Sequence, residues 1–124
     1  MDAGSQQAQA GSKLTEIFKS AEKYHRAGQK GNRIKIAIFD SGLSEAYQGK
    51  EESPLKAKRI INFTHDPSAK DTLGHGTFIS GVVGSTNPDC PGLAPEAEVY
   101  VLKLFTEDRV SYTSWFLDAF NFVL

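Results

Sequence analysis

Cysteine is nearly absent from this chain of 124 residues, which contains Cys90 alone. A single thiol excludes an internal disulfide, a CxxC redox pair and a metal cluster held by several thiolates. We expect Cys90 to pack as a small apolar side chain. The sequence therefore gives no sign of a disulfide scaffold or of a cysteine-based metal centre.

An excess of charge of either sign is also lacking. The 14 basic and 15 acidic side chains are mixed along the sequence and give a formal net charge of −1 at pH 7. This balance offers no basic patch to nucleic acid and no attraction to an anionic membrane surface. Internal repeats and heptads are missing as well, so a solenoid or a coiled coil has no support.

Long apolar runs are the third absence. No run reaches the roughly 18 residues that are needed to cross a bilayer. Residues 1–13 lack the basic start and the apolar stretch of a signal peptide. We therefore expect neither a membrane span nor a secretion signal within this chain.

The first part of the chain is polar and then becomes amphipathic. Residues 1–12 are rich in Gly, Ser, Gln and Ala, with almost no bulky apolar side chains, so we expect a flexible tail. From Leu14 to Ala27 apolar residues recur at helical spacing, and Gly28 follows as a helix stop. Residues 1–32 are therefore assigned to a tail and a leading helix.

Beyond that helix, short β-branched runs alternate with helical patterns. Buried strands are predicted at residues 34–39, 59–63 and 99–105. Helices are predicted at residues 73–84 and 111–124. Strands that alternate with helices indicate an α/β fold with a parallel sheet. The last helical pattern reaches Leu124 without a stop, so we expect residues 33–124 to be the N-terminal part of a larger domain.

Two residues are candidates for an active site of such a fold. Asp40 follows the first predicted strand, at the carboxyl edge of the sheet, where active sites occur. His75 lies between Gly74 and Gly76 at the start of a predicted helix. A carboxylate bonded to one ring nitrogen of a histidine leaves the other nitrogen free to take a proton from a hydroxyl nucleophile. Singly, Asp40 is equally well explained as a turn-fixing carboxylate, and His75 as a surface histidine.

The segments around both residues resemble the motifs of the subtilase family of serine proteases. Ile38-Phe39-Asp40-Ser41-Gly42 is similar to the aspartate motif of that family. Gly74-His75-Gly76-Thr77-Phe78, with Gly81, is similar to its histidine motif, and Gly92-Leu93-Ala94-Pro95 resembles the segment before the next core strand. Residues 110–121 resemble the branch of membrane-bound processing subtilases that includes the site-1 proteases. The resemblance runs from about Arg33 to Leu124.

This resemblance implies a partial subtilisin-like three-layer fold in which Asp40 and His75 are the triad aspartate and histidine. It implies a serine endopeptidase that cleaves protein or peptide substrates by acyl transfer, without a cofactor and without a nucleic-acid partner. It also implies a structural calcium ion, a luminal location in the endoplasmic reticulum or Golgi, and membrane association through parts outside this chain. The serine nucleophile and the oxyanion-hole asparagine are not among these residues, so we expect this chain alone to be inactive.

Other interpretations account for less of the sequence. An aspartyl-phosphate phosphatase needs a second carboxylate two positions after the first, where Gly42 stands. Residues 40–50 contain no glycine-rich phosphate loop, which a nucleotide-binding module needs. A catalytically silent, subtilase-like binding module stays open, because two triad members alone do not make an enzyme. Asp66 and Asp71 either shape the histidine loop, hold a cation or, as scattered carboxylates usually do, lie on the solvated surface, so no metal site is assigned. The triplet Asn62-Phe63-Thr64 is a weak glycosylation signal.

Overall fold

The computed structural model describes residues 3–124, without the side chains of residues 3–8 and 10. Helices and strands alternate along these residues. The helices are α1 (Ala3–Arg26), α2 (His75–Gly84) and α3 (Thr113–Val123). The strands are β1 (Lys35–Asp40), β2 (Ala57–Asn62) and β3 (Glu98–Lys103), and a 3₁₀ turn spans Glu45–Tyr47. Every strand and helix predicted after residue 32 is present, with small shifts at the ends.

The chain divides into two units after residue 30, and α1 makes up most of the first. The helix ends in a Schellman motif around Gly28, whose left-handed φ is 80°. The Gly28 amide donates to the His25 carbonyl at 3.0 Å, and the Gln29 amide donates to the Tyr24 carbonyl at 2.9 Å. The helix stop predicted at Gly28 is confirmed.

The start of α1 differs from the prediction. The helix begins at Ala3 rather than near Leu14, so residues 3–12 are helical, while Met1 and Asp2 of the expected tail lie outside the described residues. This stretch contains no proline and is rich in alanine and glutamine, which favour helix. The spacing of apolar residues marks only the part of a helix that has an apolar face, so it placed the start too late.

The second unit is built on a parallel sheet with the strand order β1-β3-β2. The last residues of the strands lie in one row, because Lys103 is the register partner of both Asp40 and Asn62. All three strands therefore present their carboxyl ends at the same edge. The predicted α/β fold with a parallel sheet is confirmed.

Alternate residues of the strands contribute to two separate cores. The first contains Ile38, Leu43, Leu55, Val99 and Val101, with Ile79 and Val83 of α2 packed against it. The second contains Leu102, Leu104 and Ala119, with Phe39, Trp115 and Phe116 packed against it. Because successive side chains of a strand point to opposite faces, Val101 and Leu102 belong to different cores. The unit therefore has three layers, with α2 on one face of the sheet and α3 on the other.

Cys90 is exposed, so the prediction that it packs as an apolar side chain is wrong. The residue lies in the turn after α2, where its amide donates to the Asn87 carbonyl at 3.1 Å. Its own carbonyl accepts the Ser85 hydroxyl at 2.9 Å. Hydrogen bonds hold this turn at the surface, as is usual for connecting segments, and the general preference of cysteine for burial does not override them.

Candidate active site

Asp40, the last residue of β1, and His75, the first of α2, meet at the carboxyl edge of the sheet. Nδ1 of His75 lies 2.9 Å from Oδ1 and 2.9 Å from Oδ2 of Asp40. The Asp40 side chain is 15% exposed and the His75 side chain is 68% exposed, so a sheltered carboxylate supports an open imidazole. Both hydrogen bonds that join the His75 ring to Asp40 are formed by Nδ1. The structure thus brings together the two residues that the sequence predicts as a pair.

A close approach of two backbone segments makes this pairing possible. A Cβ atom on Gly76 would lie 2.5 Å from the carbonyl oxygen and 2.9 Å from the amide nitrogen of Gly42, too close for packing. Gly42 itself has a left-handed φ of 107°, which favours glycine. The glycines of the two motifs therefore allow the start of α2 to lie directly against the turn after β1.

Asp71, in the loop before α2, is 7% exposed, so the expectation of a solvated carboxylate is wrong. Its Oδ1 accepts hydrogen bonds from Ser41 Oγ (2.8 Å), Leu73 N (3.2 Å) and Gly74 N (2.9 Å), and its Oδ2 accepts from Thr77 N (2.8 Å) and Thr77 Oγ1 (2.6 Å). Burial raises the pKa of this carboxyl, but the hydrogen bonds from Thr77, Gly74 and Ser41 outweigh burial and hold the pKa below its ordinary value. Asp71 is therefore an ionised, buried carboxylate.

The same edge of the sheet contains a buried lysine that the sequence did not predict. Lys103 ends β3 and is 1% exposed, and its Nζ donates to the Lys70 carbonyl at 2.6 Å. Nζ also lies 3.3 Å from Oδ2 of Asp66, whose side chain is largely buried and accepts the Glu107 amide at 2.9 Å. The expectation that Asp66 is solvated is therefore wrong as well. A lysine at the end of an apolar strand is a common surface pattern, so no local signal could have found this pair.

The side chain of Asn62, in the glycosylation triplet, forms hydrogen bonds within the turn after β2. Its Nδ2 donates to the Asp66 carbonyl at 2.7 Å. Its Oδ1 accepts the Thr64 amide at 2.9 Å and the Thr64 hydroxyl at 2.6 Å. The triplet therefore has a structural use, and the nitrogen that would carry a glycan already donates a hydrogen bond in the folded chain.

Within the described residues, 3–124, no group of three or more His, Cys, Asp or Glu side chains is placed to hold a metal ion. The calcium ion implied by the resemblance thus finds no cluster of acidic ligands in this part of the chain, and it stays a prediction. None of the described helices is long and apolar enough to cross a membrane.

The sequence of this chain is similar to those of known proteins. The sequence profile of the Subtilase family matches residues 31–123. Subtilisin-like protease SBT6.1 of Arabidopsis thaliana is 41% identical over 113 residues, which are 90% of this chain and 10% of the relative. Membrane-bound transcription factor site-1 protease of Homo sapiens is 42% identical over 104 residues, 84% of this chain and 9% of the relative. The major intracellular serine protease of Bacillus subtilis is 27% identical over 117 residues, 88% of this chain and 35% of the relative.

The extent of these matches differs between the chain and its relatives. The chain spans about a tenth of the length of the plant and human proteins. The family profile nevertheless covers nearly all of the second unit, including β1, α2, β3 and the pair formed by Asp40 and His75. Because the family match and the parallel α/β sheet agree, the chain belongs to the subtilase family.

Proposed function

We propose that this chain supplies the aspartate and the histidine of a serine endopeptidase. The observation that carries the proposal is the 2.9 Å contact of Nδ1 of His75 with both carboxylate oxygens of Asp40. Asp40 accepts the Nδ1 proton and so fixes the neutral imidazole in the tautomer that has a lone pair on Nε2. Since the imidazole is mostly exposed, a hydroxyl nucleophile can reach that lone pair.

The reaction is acyl transfer from a peptide to a serine and then to water. Nε2 of His75 takes the proton of the serine hydroxyl while the serine oxygen bonds to the peptide carbonyl carbon. The C–N bond then breaks, and Nε2 gives the same proton to the leaving amine. A water molecule repeats these steps at the acyl-enzyme and releases the acid and the serine. Asp40 stays ionised throughout and stabilises the imidazolium.

The nucleophilic serine is supplied from outside this chain. Ser41, next to Asp40, is 2% exposed. Its hydroxyl already donates to Asp71 and accepts the Gly76 amide, so it is not placed to attack a substrate. We therefore expect the 124-residue chain alone to show no peptidase activity, since loss of the serine in subtilisin lowers turnover by about a million-fold.

The substrates are protein or peptide precursors, and the site of action is the luminal side of a secretory-pathway membrane. Support comes from the family resemblance and from a relative whose name describes a membrane-bound protease. Membrane association is assigned to parts outside this chain. A nucleic-acid partner is not proposed, because the mixed charges and the formal net charge of −1 offer no basic patch.

The first test is to read the transcript in frame beyond the codon of Leu124. A segment with an oxyanion-hole asparagine, followed by a Gly-Thr-Ser motif, supports the peptidase. A stop codon, or another residue in place of the serine, contradicts it and favours the silent binding module.

Kinetics of the complete gene product then test the two residues. His75→Ala should lower the turnover of a peptide substrate by about 10⁶-fold, and Asp40→Asn by about 10⁴-fold. The control variants His25→Ala and Asp118→Asn change side chains of the same types outside the site and should keep full activity. A fluorophosphonate probe should label the serine of the control variants as fast as that of the unaltered protein. It should label the serine of Asp40→Asn more slowly, and that of His75→Ala most slowly. Unchanged turnover in either site variant would contradict the proposal.

A further inference from the structure

The position of His75 depends on its backbone rather than on packing of its ring. The imidazole is 68% exposed, and its hydrogen bonds go to Asp40. The direction of Nδ1 is therefore set by two segments of chain, the loop and helix start at residues 69–77 and the turn at residues 41–44. Whatever joins these two segments decides whether the pair forms.

Asp71 joins them, because its two oxygens are shared between the loop and the turn. Oδ1 accepts the Ser41 hydroxyl from the turn and the Leu73 and Gly74 amides from the loop. Oδ2 accepts the amide and the hydroxyl of Thr77, in the first turn of α2. Five donors thus converge on one carboxylate that is 7% exposed.

The two hydroxyls that donate to Asp71 also accept hydrogen bonds. Since Ser41 Oγ directs its proton to Asp71, its lone pair accepts the Gly76 amide at 2.9 Å. Thr77 Oγ1 likewise accepts the Ser44 amide at 2.9 Å. The negative charge of Asp71 therefore orients both hydroxyls, and each of them links the start of α2 to the turn after β1.

We propose that Asp71 is a positioning residue for the Asp40–His75 pair, because its carboxylate holds the start of α2 against the turn after β1. The inference rests on the proposed function, which gives the pair its catalytic role. A carboxylate suits this position because backbone amides, which can only donate, approach both of its oxygens: Leu73 and Gly74 at Oδ1, and Thr77 at Oδ2. An asparagine would turn its N–H groups either toward the Thr77 amide or toward the Leu73 and Gly74 amides, and so would lose at least one of these bonds in either orientation.

The ring nitrogen of His75 that carries the proton in the 124-residue chain reports on this positioning. Above the pH range in which imidazoles titrate, about 5 to 8, a solvated histidine favours protonation at Nε2, whereas a bond to Asp40 favours Nδ1. Long-range proton–nitrogen NMR correlations distinguish the two forms. The Nδ1 form should dominate in the unaltered chain, and Asp71→Asn should lower the ratio of Nδ1 to Nε2 forms by about tenfold, or about 1.4 kcal/mol.

Further variants separate positioning from general stability. Asp66→Asn changes another largely buried carboxylate at the same edge, which forms no hydrogen bond with residues 73–77, so it should keep the Nδ1 form. Thr77→Val removes one donor to Asp71 and should lower the ratio, and Thr77→Ser, which keeps the hydroxyl, should restore it. The two Thr77 variants decide the question where Asp71→Asn does not fold.

The outcomes distinguish this inference from the proposed function. If His75 of the unaltered chain is protonated at Nε2, the Asp40–His75 pair is overturned, and the inference with it. If the unaltered chain has the Nδ1 form but Asp71→Asn and Thr77→Val keep the same ratio, only the positioning role is overturned. An equal fall of the ratio in Asp66→Asn also overturns it, because loss of stability would then be sufficient.

Discussion

Removal of the Asp66 carboxylate should destabilise the chain more than removal of the lysine that it faces. Lys103 is 1% exposed, and its ammonium bonds the Lys70 carbonyl at 2.6 Å and lies 3.3 Å from Asp66. Asp66→Ala leaves a buried ammonium with one carbonyl, and an uncompensated buried charge costs about 3–5 kcal/mol. Lys103→Met keeps the apolar stem and leaves the Asp66 carboxylate without its lysine. The Asp66 side chain is 13% exposed and still accepts the Glu107 amide, so the loss should be smaller, about 1–3 kcal/mol.

The double variant Asp66→Ala/Lys103→Met tests whether the two side chains act as a unit. Replacement of both members of a buried ion pair by apolar groups is often neutral or stabilising, so the double variant should be more stable than Asp66→Ala alone. Urea unfolding gives the free energies, followed by far-UV circular dichroism and by the fluorescence of Trp115, the one tryptophan, which packs against the second core. Equal denaturant slopes make the free energies comparable.

An exposed pair provides the matched control. Glu22 and Arg26 lie 3.4 Å apart with both side chains mostly exposed, so Glu22→Ala should cost no more than about 0.5 kcal/mol. A loss below about 1 kcal/mol in Asp66→Ala, the size expected of a surface pair, would refute the reasoning. Strict additivity of the Asp66 and Lys103 variants would refute it as well, because it would show that the two charges do not interact.

Two further measurements address the site itself. Because the pKa of Asp71 in the folded chain lies below its unfolded value of 3.8, its ionisation contributes stability that is present above that value and is lost as the pH falls through the folded pKa. The urea midpoint should therefore fall more steeply below about pH 4 than that of Asp71→Asn, and parallel curves would contradict this. Gly76→Ala should cost about 1–3 kcal/mol and lower the Nδ1-protonated share of His75, since its Cβ would lie 2.5 Å from the Gly42 carbonyl. Gly49→Ala, where φ is 64° and the surrounding space is open, should cost about 1 kcal/mol and leave His75 unchanged.

The secondary structure of the second unit could be predicted because local patterns determine it. The apolar residues of β1 and β3 form short β-branched runs, and glycines mark the turns around Asp40 and His75. The rule that active sites occur at the carboxyl edge of a parallel sheet placed only Asp40. The pairing of Asp40 with His75, which begins a helix, was predicted from the resemblance of their two motifs to those of the subtilase family. The start of α1 could not be predicted in the same way, because an alanine- and glutamine-rich segment forms a helix without apolar periodicity.

The hydrogen bonds that support the site were beyond sequence reasoning because they join distant positions. Ser41 and Asp71 are separated by 30 residues, Ser41 and Gly76 by 35, and Lys70 and Lys103 by 33. No local pattern separates a buried aspartate or lysine from the far commoner solvated one. Whether a charged group is buried depends on the groups that surround it in space, and these come from positions far apart in the sequence.

The alternation of side chains along the strands explains how the sheet serves the site. Asp40, Asn62 and Lys103 each stand two positions after a residue packed in or against the first core, so all three belong to the face that carries α2. Asp40 meets His75 there, while Lys103 bonds the loop before α2 through the Lys70 carbonyl. The carboxylate of the pair is thus fixed by the sheet, whereas the imidazole depends on hydrogen bonds of the loop. Substitutions within the strands should therefore lower the free energy of unfolding with little effect on the tautomer of His75. Substitutions around Asp71 should change the tautomer of His75 more than they change stability.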